Sequence, residues 1–138
     1  MALDRFVIAQ QPVYDRVLAE LRQGRKTTHW IWFIFPQLRG LGFSEMSHRY
    51  GIESLEHARA YLAHPVLGPR LGECTRLVLA ARLPAAGILG GLDAMKLRSS
   101  MTLFALASDP GSVYAQAIDQ LFSGEQDART LELLGTGS

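Results

Sequence analysis

The run from Gly24 to Phe43, GRKTTHWIWFIFPQLRGLGF, constrains the fold more than any other part of the chain. Five of the twelve aromatic residues fall within it, and Pro36 ends its densest part. Large aromatic side chains dominate core energetics, and a buried tryptophan needs a partner for its indole N–H. The run is therefore typical of a central core segment. Alternatively, its polar neighbours Lys26, His29 and Gln37 face a pocket, because small-molecule sites commonly combine an apolar wall with a few polar groups.

The length and composition of the chain restrict the class of protein. A chain of 138 residues with 48% hydrophobic content suits one domain with one core and excludes a disordered polymer. The formal charge is +1, from 14 basic and 13 acidic residues. This near-neutral balance disfavours electrostatic binding of nucleic acid. Cys74 is the only cysteine, so the chain forms no internal disulfide, as is typical of a reducing compartment.

Neither a targeting segment nor a membrane span is evident in the sequence. The N-terminal MALDRFVIAQQ lacks the basic start, long apolar run and cleavage site of a signal peptide. No apolar stretch approaches the length of about 18 residues that suggests a membrane-spanning helix. We therefore predict a cytoplasmic protein with no membrane contact.

Apolar residues recur at spacings of three and four along most of the chain, which is the period of an α-helix. Gly24 is placed to end a helix that starts at about Val13, and the terminal GTGS is expected to fray. Serine or aspartate residues that are placed to cap later helices are Ser44, Ser54, Asp93, Ser112 and Asp127. The pattern predicts a mainly α-helical single domain, residues 1–138, of about seven to nine short helices.

The segment from His29 to Phe35 is ambiguous by itself. Its aromatic content favours a strand. However, no second strand is evident for it to pair with, and an unpaired buried strand leaves its backbone groups unsatisfied. We therefore predict a short helix there, capped by Thr28.

Motifs for metal binding and nucleophilic catalysis are missing. The four histidines lack the spacing of metal ligands, and neither HExxH nor CxxC occurs, so we predict no metal and no cofactor. Cys74 lies among apolar residues at helical spacing, which favours a buried, inert thiol over a nucleophile. The hydroxyl cluster of Ser99, Ser100 and Thr102 either packs within a helix contact or faces a pocket.

Phosphate-binding motifs occur only in weak form. Neither GxGxxG nor GxxxxGK[ST] is present. The RGLG sequence that starts at Arg39 precedes Ser44 at a predicted helix start, where free backbone N–H groups could bind an anion, but the pattern favours a plain turn. Lys26 and His29 are three residues apart, so on a helix they share one face. A histidine can act as an acid or base, and a lysine can hold an anion.

Three segments give the chain a resemblance to a known family: GRKTTHWIWFIFPQLRGLG, YGIESLEHARAYLAHPVLGPRLGEC and ILGGLDAMKLRSSMTLF. Together they span roughly residues 4–134, and the first contains G-x-K-x-x-H-W-x-W-F-x-F-P-Q. The chain resembles the bacterial domain-of-unknown-function family eighteen-ten, whose members often carry the automatic label "calpastatin". Calpastatins are long, largely disordered inhibitors, whereas this chain has the composition of a globular core. The resemblance implies a compact, mainly helical bacterial protein and transfers no catalytic residue.

Several residues of the family signature are polar and would have no role in a hydrophobic core. Their presence favours a binding site. The predicted ligand-binding residues are Lys26, His29, Trp30, Trp32, Gln37, Ser44, Lys96, Ser99 and Ser100. The first hypothesis is that they bind a small anionic ligand, phosphate- or nucleotide-like, beside the tryptophan-rich run. The second is a structural or protein-interaction module without catalysis. The third is a small hydrolase that acts on a nucleotide or an ADP-ribose-like substrate.

Overall fold

Ten short α-helices occur within residues 2–135, which the computed structural model describes. In chain order they are α1 (Asp4–Gln10), α2 (Tyr14–Gln23), α3 (Ile31–Ile34), α4 (Glu45–Arg49), α5 (Leu55–Ala63), α6 (Leu67–Ala80), α7 (Ala85–Leu89), α8 (Gly91–Leu106), α9 (Val113–Phe122) and α10 (Ala128–Leu133). The predicted mainly helical fold of short helices is confirmed, with ten helices in the described residues where about seven to nine were predicted. Part of the tail that was expected to fray, residues 136–138, lies outside the described residues.

Helix α8 is the central element of the fold. It is the longest helix of the described chain, with 16 residues, and packs against α3, α5, α7, α9 and α10. Residues 99–104 of α8 are all buried, as expected for a helix segment that has neighbours on all sides, whereas Leu92 and Met95 in its first half are exposed. The hydrophobic cluster that surrounds it draws residues from α1 through α9. Side chains on α8 are therefore held in place by the core.

The tryptophan-rich run packs inside this core. Trp30 and Phe35 are both 1% exposed, and their rings lie 6.2 Å apart. The core-segment interpretation is therefore confirmed for residues 30–35, whereas Phe43 at the end of the run is 96% exposed. The short helix predicted from His29 to Phe35 exists, but it covers only α3. The prediction that Thr28 caps it was wrong: α3 starts after Trp30 without a side-chain cap, and the Thr28 hydroxyl donates to Glu20 instead.

Four of the five predicted helix caps are confirmed. In each, a side-chain oxygen accepts a hydrogen bond from the backbone N–H three residues later, which is the usual N-cap geometry. The four residues are Ser44, Ser54, Ser112 and Asp127. The fifth prediction was wrong, because α8 begins at Gly91 and Asp93 lies in its first turn. The Asp93 carboxylate forms ion pairs with two lysines and leaves the helix end uncapped.

The segment between α3 and α4 is fixed by a single parallel β-bridge between Leu38 and Ile52. The Ile52 N–H donates to the Gln37 carbonyl at 2.9 Å, so the backbone at Gln37 is held. A Cβ atom at Gly42 would lie 2.5 Å from the Ser47 hydroxyl oxygen, so only glycine allows this close approach. The segment is thereby held close to the first turn of α4.

Candidate functional site

A buried carboxylate organises the loop that precedes α3. Glu20 lies on α2, is 5% exposed, and accepts four hydrogen bonds. The donors are the Thr27 and Thr28 backbone N–H groups at 2.7 and 3.0 Å and the Thr28 hydroxyl at 2.6 Å. The Trp30 indole N–H donates the fourth at 3.0 Å, which supplies the partner that a buried tryptophan needs. Glu20 therefore ties the loop and the core tryptophan to α2.

These hydrogen bonds keep the Glu20 carboxyl ionised. Burial raises its pKa, but the hydrogen bonds from Thr28, Thr27 and Trp30 outweigh burial and lower the pKa to about 2. A carboxylate that accepts several hydrogen bonds titrates at unusually low pH because its charged form is stabilised. The loop is therefore anchored by a full negative charge at neutral pH.

Two lysines share one carboxylate at the start of α8. Lys26 Nζ lies 2.8 Å from Asp93 Oδ2, and Lys96 Nζ lies 3.4 Å from Asp93 Oδ1. Each ammonium also lies over a tryptophan ring, Lys26 at 5.1 Å from the Trp30 centroid and Lys96 at 5.2 Å from that of Trp32. We call these three charged residues the Lys26–Asp93–Lys96 triad. Because two cations face one anion, the triad has one uncompensated positive charge.

A cavity of about 450 Å³ opens beside the triad, and we call it the loop cavity. It lies between residues 26–29 of the anchored loop and residues 89–93 at the start of α8. His29 is exposed at its edge. No side chain caps α8, and a Cβ at Gly90 or Gly91 would meet no atom within 4 Å. The first backbone N–H groups of α8 are therefore open to a ligand.

A second cavity, of about 260 Å³, lies along the outer face of α8, and we call it the helix cavity. Its walls come from α8, from the segment after α3, and from α4 and α10. The lining residues are Gln37, Leu41, Gly42, Ser47, Leu92, Met95, Lys96, Ser99, Asp127 and Arg129. Leu92 lines both cavities, so the two are neighbours with a common wall.

The structure divides five of the predicted site residues between the two cavities. Lys26 and His29 line the loop cavity, whereas Gln37, Lys96 and Ser99 line the helix cavity. Lys26 and His29 are not on a helix as the spacing argument assumed, but they still border the same space. The Ser99 hydroxyl donates to the Met95 carbonyl one turn earlier, so it already has a partner.

The other four predicted residues line neither cavity. Trp30 is buried and its N–H is committed to Glu20. Ser44 caps α4 and also donates to the hydroxyl of Ser47, which does line the helix cavity. Trp32 Nε1 and Ser100 Oγ are buried without a hydrogen-bond partner among the described residues. These four residues are therefore not placed to contact a ligand in either cavity.

Sequence reasoning missed the two carboxylates that organise the site. Glu20 lies three residues after Val17 and one before Leu21, so helical spacing already placed it on the buried face of α2. A carboxylate on the buried face of a helix needs hydrogen-bond donors, and the nearby tryptophan needs an acceptor. Together these two requirements could have predicted that Glu20 and Trp30 are partners. Asp93 had no such signal, because an aspartate near a helix start has the same local pattern whether it caps the helix or pairs with distant lysines.

The single cysteine is buried, as the sequence suggested. Cys74 is fully buried, and burial raises the pKa of its thiol to about 12. Because the thiolate is the reactive form, we expect iodoacetamide to leave native Cys74 unmodified at pH 8 and to alkylate it fully in denaturant. Mass spectrometry of the intact protein checks this. Rapid alkylation without denaturant would contradict the burial of this side chain.

Residues 2–135 contain neither a cluster of metal ligands nor a helix that could span a membrane. No group of three histidine, cysteine, aspartate or glutamate side chains in this part of the chain is arranged to hold a metal ion. Among the same residues, no helix combines the length and apolar character needed to cross a bilayer.

Comparison with known proteins places the chain in a family. It matches a crystal structure, determined at 1.38 Å, of the conserved hypothetical protein Rv1873 from Mycobacterium tuberculosis, with 53% sequence identity. The match covers 96% of this chain and 95% of that one, with a TM-score of 0.93. None of the curated proteins compared with the chain matches it. The model of a family described as "Protein of unknown function (DUF1810)" matches residues 1–134, and the chain therefore belongs to this family.

Proposed function

We propose that the protein binds a small anionic ligand, phosphate- or nucleotide-like, in the loop cavity. The observation that carries this proposal is the Lys26–Asp93–Lys96 triad, in which two lysines share one carboxylate. The two lysines neutralise Asp93, which would otherwise repel an anion from the start of α8. The remaining positive charge and the uncapped N-terminus of α8 both favour a negative ligand.

The loop cavity is prepared for binding before a ligand arrives. Glu20 holds Thr27 and Thr28 by their backbone N–H groups, and the Lys26 N–H donates to the Ile88 carbonyl at 2.7 Å. The Lys26 side chain is 7% exposed, so it acts on a ligand mainly through its charge. His29 and Thr27 are exposed in the loop cavity and can donate hydrogen bonds directly. Such preorganisation reduces the entropy that binding must offset.

Substitution of Lys96 by methionine tests the role of the triad. Lys96→Met keeps the aliphatic stem against Trp32 and leaves Lys26 paired with Asp93, but it removes the excess positive charge. We expect pyrophosphate to bind about tenfold more weakly, which corresponds to about 1.4 kcal/mol. Isothermal titration calorimetry at low salt measures the affinity. Arg59→Met, which removes the same charge from an exposed position on α5, is the matched control and should bind like the unmodified protein.

The proposal fails if phosphate, pyrophosphate and nucleotides at millimolar concentration give neither heat of binding nor a thermal shift. It also fails if Lys96→Met and Arg59→Met weaken binding equally, because the triad then has no special role. Analysis of nucleotides after incubation with the protein would reveal any hydrolysis, which is the third hypothesis.

A protein-interaction module is the second candidate function, because exposed apolar side chains gather around the helix cavity. Phe43 is 96% exposed beside Gly42, and Leu92 and Met95 are 77% and 67% exposed on α8. Exposed apolar patches mark interaction sites when they are contiguous. Light scattering of the unmodified protein and of Phe43→Ser tests this candidate. An oligomer that Phe43→Ser dissociates while pyrophosphate affinity stays constant would favour it.

A further inference from the structure

We propose that the loop cavity and the helix cavity are two compartments of one site for a nucleoside phosphate. The phosphate occupies the loop cavity and the base occupies the helix cavity. This inference rests on the proposed function, because it assumes that the loop cavity takes the anion. The two cavities share Leu92 as a wall, and the triad continues from one to the other: Asp93 lines the loop cavity and Lys96 lines the helix cavity.

The helix cavity carries charges of both signs. Lys96 and Arg129 are cationic, the Asp127 carboxylate lines the same space, and Asp93 is shared between Lys96 and Lys26. Asp127 Oδ2 accepts hydrogen bonds from the Thr130 N–H and hydroxyl, so the charge is fixed in place by the cap of α10. A second anionic group would meet this carboxylate. A neutral body that forms hydrogen bonds meets no such repulsion.

The size of the helix cavity suits a small chemical group, such as one part of a larger ligand. Its volume of about 260 Å³ lies below the range of about 300–1,000 Å³ typical of sites for drug-sized ligands. The loop cavity, at about 450 Å³, has room for a phosphate and the sugar attached to it. Together the compartments suit a ligand with a charged end and a compact neutral end.

Gln37 supplies the hydrogen-bonding chemistry for a base. Its side chain forms no hydrogen bond to any other residue in the range 2–135, although its backbone carbonyl is held by Ile52. A carboxamide offers both a donor and an acceptor, which is the pairing that the edge of a nucleobase presents. Leu41, Leu92 and Met95 add apolar surface on which the faces of a flat ring can rest. A simple alkyl group would leave the Gln37 amide unused.

The exposure of Leu92 and Met95 has an explanation in this arrangement. Leu92 lies on α8 where the two compartments meet, Met95 lies one turn later in the helix cavity, and both side chains are mostly exposed. A ligand that spans the two cavities covers this apolar surface, and covering apolar surface stabilises the complex. An inorganic phosphate in the loop cavity alone would leave it exposed.

Calorimetric titration with inorganic phosphate, ribose 5-phosphate, hexyl phosphate and the four ribonucleoside monophosphates tests the inference. We expect at least one nucleoside monophosphate to bind about tenfold or more tightly than ribose 5-phosphate, because only the nucleotide fills the helix cavity. Gln37→Ala and Met95→Ala should each lower the affinity for that nucleotide about three- to tenfold and leave the affinity for ribose 5-phosphate unchanged. Gln23→Ala and Ile8→Ala are the controls, because they remove a glutamine and a large apolar side chain from exposed positions outside both cavities.

The outcomes separate this inference from the proposed function. Equal affinity for ribose 5-phosphate and all four nucleotides would overturn the two-compartment site while the anion site stands. Tighter binding of hexyl phosphate than of every nucleotide would also overturn it, because an apolar tail would then fill the helix cavity. Absence of binding by every phosphate compound would overturn the proposed function and this inference with it.

Discussion

Replacement of Glu20 by alanine should lower the free energy of unfolding by about 3–4 kcal/mol. Four donors lose their acceptor, and the Trp30 indole N–H is left buried without a partner. Thr27 and Thr28 are not buried, so water can replace the carboxylate at their donors, and most of the loss comes from the buried Trp30 N–H, whose bond to a charged group contributes about 1.5–3 kcal/mol and whose desolvation adds to that. Urea unfolding followed by tryptophan fluorescence measures the change. Glu132→Ala on the exposed face of α10 is the control and should change stability by less than about 0.5 kcal/mol.

The same carboxylate predicts a specific pH dependence. The pKa of Glu20 falls from its ordinary value of 4.5 to about 2 in the folded protein, so the group stabilises the fold above pH 4.5. This contribution, about 3 kcal/mol for a group this buried, is lost as the pH falls from 4.5 towards 2, because the unfolded chain takes up the proton first. The stability difference between the unmodified protein and Glu20→Gln should therefore shrink over that interval. A difference that stays constant between pH 5 and pH 2.5 would show that Glu20 titrates normally.

Gly68→Ala should destabilise the protein by about 3 kcal/mol or more through a backbone clash. A Cβ at Gly68, in the first turn of α6, would lie 2.1 Å from the carbonyl oxygen of Leu62 on α5. The contact is with backbone, so no side-chain rotation relieves it, and α5 and α6 must separate. Chemical denaturation of the purified variant measures the loss.

Gly87→Ala is the matched control for this substitution. Gly87 lies in α7, where a Cβ would be 3.9 Å from Pro84 Cδ, which is ordinary contact. This change should be neutral or stabilise the protein by up to about 1 kcal/mol, because alanine reduces the entropy of the unfolded chain. Equal effects of the two substitutions would contradict the close approach of α5 to α6.

Local chemistry in the sequence determined the helices and most of their ends. Ser44, Ser54, Ser112 and Asp127 were predictable caps because each bonds a backbone group only three residues away. Gly24 was predictable for a similar reason, since it ends α2 with a φ of 72° that favours glycine. Helical spacing also placed the apolar residues of the core. These features depend on neighbours within one or two turns, so the order of residues is sufficient to define them.

The site depended on contacts that no short window of sequence contains. Asp93 has a lysine partner on its own helix, but its other partner, Lys26, comes from a loop much earlier in the chain. The Thr28 hydroxyl had two possible partners, the first turn of α3 and the Glu20 carboxylate, and packing decided for Glu20. The sequence by itself therefore determined the helical architecture and its core. Only the tertiary structure decided which charges meet and where the cavities open, because those depend on how distant helices pack.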